Sequence, residues 1–207
     1  MTRVEAFAAS LPQEGHSVNQ DAFWIRPGDP VIVALADGAG AAEQAARRVV
    51  RQFDSLIAAG SASEVESFPA WSSWLRALDG GMVGAAQSTF VALAVLEDRV
   101  VGASVGDSRA YLWSREGLLQ ILTEGGSKLR LGSGRIKPSP IYAPLHRGDI
   151  VLLMSDGAWT PLAVSRLRDT IAAAALGRLA DLPEVILREA SRTGVADDMT
   201  VVVARRR

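Results

Sequence analysis

Four aspartates stand beside apolar, strand-like runs, and their placement suggests metal chemistry. Asp37 follows Val31-Ile-Val-Ala-Leu-Ala36 and precedes Gly38-Ala-Gly40. Asp156 follows Ile150-Val-Leu-Leu-Met-Ser155 and precedes Gly157. Asp197-Asp198 lead into Met199-Thr-Val-Val-Val203, and Asp107 lies inside Val105-Gly-Asp-Ser-Arg109. A strand holds its terminal residue in a fixed place. Carboxylates fixed in this way and brought together form an all-oxygen site, which suits Mg²⁺ or Mn²⁺ better than zinc. Two such ions can acidify a water and stabilise the oxygens of a phosphoryl displacement. Asp37 suits a bridging position, and Gly38 lets the backbone pass close enough for its carbonyl to act as a ligand. Asp156 and Asp197 could complete one ion. Asp-Gly is also a common turn dipeptide, so each pair taken singly reads first as a turn. The joint occurrence after apolar runs is what favours a site.

Periodicity gives the elements that would carry these acids. Strand-like runs occur at Val4 to Ala9, Ala22 to Ile25 and Val31 to Ala36, with a turn at Pro27-Gly-Asp-Pro30. Ala41 to Ala59 has helical spacing, with Gly60 as a stop. Ser61-Ala-Ser-Glu64 resembles a capping box. Trp71, Trp74, Leu75 and Leu78 form the core face of a short helix that Asp79-Gly-Gly81 breaks. Thr89 to Leu96, Val100 to Val105, Ala110 to Trp113 and Leu118 to Leu122 predict an antiparallel meander. Gly125 to Pro144 reads as a loop. Ile150 to Met154 reads as a buried strand, Trp159 to Leu176 and Leu182 to Ser191 as helices, and Val201 to Ala204 as a last strand. Strands in runs with helices inserted in blocks predict an α+β fold with antiparallel sheets.

Composition narrows the function. The 207 residues fit a single domain, 1–207, and 48% hydrophobic content supplies a sizeable core. A net charge of −1 gives no global attraction to nucleic acid or an acidic membrane. No cysteine is present, which excludes thiolate metal sites and cysteine nucleophiles and fits a reducing cytoplasm. No apolar run reaches the ~20 residues of a membrane helix, and the N-terminus lacks the apolar core of a leader. Arg205-Arg-Arg207 reads as a solvated tail.

Taken together, six blocks resemble the type 2C metal-dependent protein serine/threonine phosphatases, the PPM family, over nearly the whole chain. They are Asn19-Gln-Asp-Ala22, Ala36-Asp-Gly-Ala-Gly40, Ser88-Thr-Phe-Val-Ala-Leu, Val105-Gly-Asp-Ser-Arg-Ala-Tyr-Leu112, Gly148-Asp-Ile-Val-Leu-Leu-Met-Ser-Asp-Gly157 and Asp197-Asp-Met-Thr-Val-Val-Val203. The resemblance implies an αββα sandwich, two antiparallel β-sheets with helices on both outer faces. It implies hydrolysis of phosphoserine and phosphothreonine in proteins by a metal-activated water, without a covalent enzyme intermediate. By position, Asp37 bridges two Mg²⁺ or Mn²⁺ ions, the Gly38 carbonyl binds one, and Asp156 and Asp197 bind the other. Asp21 sits near them, and Asp107 fits a weaker third-ion position. A cognate Ser/Thr kinase is the implied opposing partner.

Several positions depart from the family pattern. His16 stands where the family usually has a phosphate-gripping arginine. Imidazole is only partly protonated near neutrality and lacks arginine's bidentate fork. Phosphate binding is therefore expected to be weaker unless Arg130, Arg135 or Lys137 contributes. Gln20 replaces a frequent glutamate, and Pro161 a frequent aspartate. The stretch between Thr123 and Leu145, which usually carries a helical flap, is short. These departures leave two other readings open. One is a catalytically weak module that binds and regulates a kinase or phosphoprotein. The other is a phosphatase for small phosphoesters.

Overall fold

A computed structural model describes residues 4–39, 44–123, 129–175 and 177–207. Gly40, the start of the predicted Ala41 helix, the first residues of the predicted loop and Leu176 lie outside the described residues. Two antiparallel sheets stack face to face, each covered by helices on its outer side. In chain order the strands are β1 (Val4–Leu11), β2 (Asp21–Arg26), β3 (Val31–Ala39), β4 (Gln87–Ser88), β5 (Phe90–Val95), β6 (Arg99–Val105), β7 (Arg109–Trp113), β8 (Leu119–Ile121), β9 (Ser139–Pro144), β10 (Ile150–Met154) and β11 (Met199–Arg206). One sheet runs β1-β11-β10-β7-β8; the other runs β2-β3-β5-β6-β9, with β4 paired to β3. Helices α1 (Ala45–Ala59) and α2 (Phe68–Gly80) cover the second sheet; α3 (Asp156–Trp159), α4 (Val164–Ala175) and α5 (Leu182–Ser191) cover the first. This is the αββα sandwich.

The continuous apolar runs follow from this layering. Ile32, Ala34 and Ala36 of β3 face α1 and α2, whereas Val31, Val33 and Leu35 face the other sheet. A strand buried on both faces loses the alternation of a half-exposed one. In β11, Val201 and Val203 face the helices and Val202 and Ala204 the interlayer core. The predicted tryptophan face is core: Trp71 and Trp74 pack around Phe53, which meets Phe90 edge-on at 4.9 Å between ring centroids.

The structure corrects several expectations. The meander is broken: β5 pairs with β6 and β7 with β8, but β6 and β7 lie in different sheets. The chain crosses between layers at Gly106-Asp107-Ser108. Gly106 has φ +95°, and a Cβ there would lie 2.8 Å from the Thr89 side chain, so glycine is required. The predicted Gly125–Pro144 loop contains β9, which pairs with β6 as the sheet's edge. Ile141 and Ala143 point into the interlayer core, and an edge strand tolerates Pro140 and Pro144. The helix predicted from Trp159 starts later, at Val164 beyond Pro161, and Trp159 instead ends the short α3 that opens at Asp156. Glu64 accepts the Ser61 N–H (2.6 Å), but this bond lies at the start of a short 3-10 turn, Glu64–Glu66, and caps neither that turn nor the tryptophan helix. The arginine tail is not free: Arg205 ends within β11 and pairs with Glu5, as does Arg207.

Candidate metal centre

The acids meet at one end of the sandwich, delivered by both sheets and by the crossover between them. Asp37 lies near the end of β3, and its backbone is fixed at three points. Its N–H donates to Thr89 Oγ1 (3.1 Å), and its carbonyl accepts the Thr89 N–H (2.8 Å) and the Ser88 hydroxyl (2.9 Å). Gly38 pairs with Ser88, and its N–H donates to the Gln20 carbonyl at 3.1 Å. A Cβ on Gly38 would lie 2.9 Å from that same oxygen, so the close approach of two backbones selects glycine.

Asp156 opens α3 just after β10. Its neighbour Ser155 is tied to β11: Ser155 N–H donates to the Thr200 carbonyl (3.1 Å) and Thr200 N–H to Ser155 Oγ (2.9 Å). Asp107 occupies the crossover. Its carbonyl accepts the Trp159 indole N–H (3.0 Å), and Ser108 Oγ lies 2.7 Å from Thr89 Oγ1. Thr89 thus links Asp37 to the Asp107 turn.

Asp37, Asp107 and Asp156 each offer an oxygen within 4.8 Å of the others. Asp197 is outside this trio, though near it. The Asp156 charge acts on it, and its Cβ is 3.0 Å from the Cβ position of Gly157. Asp21 faces Asp37 directly across the β2–β3 pair. Like charges so placed repel. Two oxygens of this group, Asp21 Oδ2 and Asp107 Oδ1, are buried without a hydrogen-bond partner. Orphaned buried carboxylate oxygens are costly unless a cation or water meets them. An all-oxygen set with orphaned lone pairs fits hard divalent cations.

His16 is exposed on the segment joining β1 to β2, and its N–H donates to the Gln13 carbonyl at 3.0 Å. Sequence reasoning missed two residues here, Asp198 and Thr89. Asp198 is buried and accepts the Gln13 N–H (2.7 Å) and the Gln20 N–H (2.6 Å), pinning that segment. The Asp-Asp doublet just before β11 was the available signal. Thr89 is the other. Arg130, one of the three cations the sequence offered for phosphate, has its Nη2 3.7 Å from Asp107 Oδ2.

The acid cluster has a consequence for the metal-free protein. Burial, then the charges of Asp21 and Asp156, push the Asp37 carboxyl from 3.8 up to about 9. Burial also pushes Asp21 up to about 7, against the Thr200 and Ser155 hydroxyls. A carboxyl whose folded pKa exceeds its unfolded one binds more protons when folded, so stability falls as pH rises through that window. In chelator, the Tm is expected to drop between about pH 5 and pH 8. Mn²⁺ should reverse the drop and release protons, measurable by calorimetry in buffers of different ionisation enthalpy. A Tm that climbs with pH in chelator would contradict this.

Comparisons with known proteins agree with the architecture. A family model described as Stage II sporulation protein E (SpoIIE) matches residues 27–207. That span holds Asp37, Asp107, Arg130, Asp156 and Asp197, and leaves His16 and Asp21 outside. A serine/threonine phosphatase stp of Listeria welshimeri is 26% identical over an alignment of 234 residues, covering 91% of this chain and 89% of that protein. The S. agalactiae serine/threonine phosphatase has a similar structure, with TM-score 0.86 at 19% identity over 98% of this chain and 99% of that one. The catalytic domain of the serine/threonine phosphatase PstP, in complex with two manganese ions, gives 0.80 at 21% over 100% and 99%. At these identities the solved structures establish a shared fold.

Proposed function

We propose, from the premise that this chain belongs to the SpoIIE family of type 2C-like metal-dependent phosphatase domains, that residues 1–207 form one domain that removes phosphate from phosphoserine and phosphothreonine in proteins. The observation that carries this reading is the Asp37–Asp107–Asp156 trio, with the orphaned Asp107 Oδ1 in it and the orphaned Asp21 Oδ2 on the strand paired with Asp37, built where both sheets meet. Asp37, the Gly38 carbonyl, Asp156 and Asp197 are the residues that would hold two divalent cations, with Asp107 available to a third. The all-oxygen donors fit Mn²⁺ or Mg²⁺, and the manganese pair in the similar PstP domain supports Mn²⁺. Bound cations supply Lewis acidity and an acidified water.

The chain's own residues fix the geometry. The hydrogen bonds of Asp37 to Ser88 and Thr89 hold its carboxylate in place before any ligand arrives. Asp21, opposite Asp37, is placed to orient water. His16 stands as a candidate phosphate contact from the exposed β1–β2 segment. With no cysteine in the chain, a thiol intermediate is excluded. A Ser/Thr kinase supplies the phosphoprotein in this reading, and the setting is cytoplasmic. Among the described residues no helix is long and apolar enough to cross a membrane.

The test is turnover of a phosphoserine or phosphothreonine peptide beside an aryl phosphate. Activity with Mn²⁺, removed by chelator and restored by metal, is the expected result. Turnover of small phosphoesters alone would move the substrate class. Metal binding without turnover at any pH would identify a binding module.

A further inference from the structure

We propose that Arg130 grips the phosphate of the substrate at this centre, supplying the fixed guanidinium that the His16 position lacks. The inference rests on the phosphatase reading above and concerns how phosphate is held there.

The segment that carries Arg130 is clamped on two sides. Leu131, fully buried, bridges to Ser88 through Ser88 N–H to Leu131 carbonyl (3.2 Å) and Leu131 N–H to Ser88 carbonyl (2.8 Å). Ser88 in turn pairs with Gly38. The Arg130 backbone is therefore tied through one short ladder to the Asp37-Gly38 corner. On the other side, buried Asp79 at the end of α2 accepts the Gly132 N–H (2.7 Å) and the Gly134 N–H (3.1 Å). Gly132 has φ +90°, and a Cβ there would lie 2.0 Å from the Ala86 carbonyl oxygen, so this turn has little room to shift. A side chain on such a base is pre-positioned, which lowers the entropy lost on binding.

The guanidinium faces the acids and remains open to solvent. Its Nη2 is 3.7 Å from Asp107 Oδ2, and the side chain is 30% exposed. Its charge also reaches Asp37 and Asp197. A separation of 3.7 Å is longer than a hydrogen bond. The ion pair is thus loose, and the planar fork can turn two donors to a phosphate. Arg109, also near Asp107 in the chain, is engaged elsewhere: its guanidinium stacks on Trp159 at 3.4 Å from the ring centroid and reaches the Tyr111 hydroxyl at 3.4 Å. Asp21, Asp37, Asp107, Asp156 and Asp197 carry more negative charge than two divalent cations cancel. A phosphate dianion entering there needs a fixed positive group.

The experiment compares wild type, Arg130→Ala and Arg130→Lys, all as the full chain with saturating Mn²⁺. Readouts are KM and kcat on a phosphopeptide, inhibition by inorganic phosphate, and Mn²⁺ affinity by calorimetry. Arg130→Ala is expected to raise KM and the phosphate inhibition constant by about 10- to 100-fold, the worth of one charge-assisted pair. Arg130→Lys should recover part of this, as a point charge without the fork. Mn²⁺ affinity should stay the same or tighten, because a competing cation is gone. Unchanged phosphate inhibition, or phosphate and Mn²⁺ affinity weakening together, would overturn the assignment. If wild type shows no turnover, the phosphatase reading fails. Calorimetry of inorganic phosphate with the Mn²⁺-loaded protein still decides Arg130, since equal binding to wild type and Arg130→Ala would refute it.

Discussion

Asp37→Asn is expected to abolish metal-dependent turnover while making the metal-free protein more stable. The two effects share one cause. Asp37 lies opposite Asp21 and within the acid trio, half-buried. In the metal-free fold its carboxyl is pushed up to about 9, chiefly by burial. At neutral pH, wild type must therefore protonate a group that is ionised when unfolded. Asparagine avoids that step, and the advantage grows with pH until about 9. Partial exposure and Arg130 reduce its size, but more than about 1 kcal/mol at neutral pH is expected, or roughly 2–4 °C in Tm. The same substitution removes one carboxylate charge from the proposed metal ligands, and turnover should fall by at least about 100-fold, since even outer-shell changes reach that range. The check is a pair of Tm-versus-pH curves in chelator beside a Mn²⁺ activity assay. An asparagine variant less stable than wild type in chelator would show that the buried charge is not the strain inferred here.

Gly157→Ala should damage stability and metal affinity together. A Cβ at Gly157 would lie 2.2 Å from the Asp198 carbonyl oxygen and 3.0 Å from the Asp197 Cβ. That oxygen has no easy retreat. The Asp198 carboxylate is held by Gln13 and Gln20, and Thr200 is locked to Ser155. The added methyl must push β11 away from the start of α3, which separates Asp156 from Asp197. Overpacking of this kind costs about 1–3 kcal/mol, and backbone contact places this case at the upper end. Mn²⁺ affinity, measured well below the Tm, should fall with it. Gly80→Ala is the matched comparison, because a Cβ there meets nothing within 4 Å. It should be neutral or slightly stabilising. Equal behaviour of the two variants would remove the steric argument.

The acids were legible because each sits beside an apolar run, and such runs are local signals. What was not legible is pairing over distance. Nothing in the spacing of β6 and β7 says that the chain changes sheets at Asp107; that follows from Gly106 and its contact with Thr89. β9 was hidden because Pro140 and Pro144 read as loop, whereas β6 supplies the partner that makes it a strand. Asp79 looked like a helix breaker before two glycines. Its role is to accept two N–H groups from residues 132 and 134, more than fifty positions away. Arg130 was one of three equal cation candidates in a basic loop, and what sets it apart is that Leu131 is anchored to Ser88.

The prolines of β9 also bear on how copies of this chain treat one another. β9 is an outer edge of its sheet, with Tyr142 exposed on it. Unpaired strand edges invite further chains to add on, and stacked additions of that kind build fibrils. Pro140 and Pro144 carry no N–H, so a strand arriving at this edge finds two donors missing from a segment of six residues. Colloidal stability at high protein concentration is thereby built into the same short segment that closes the sheet.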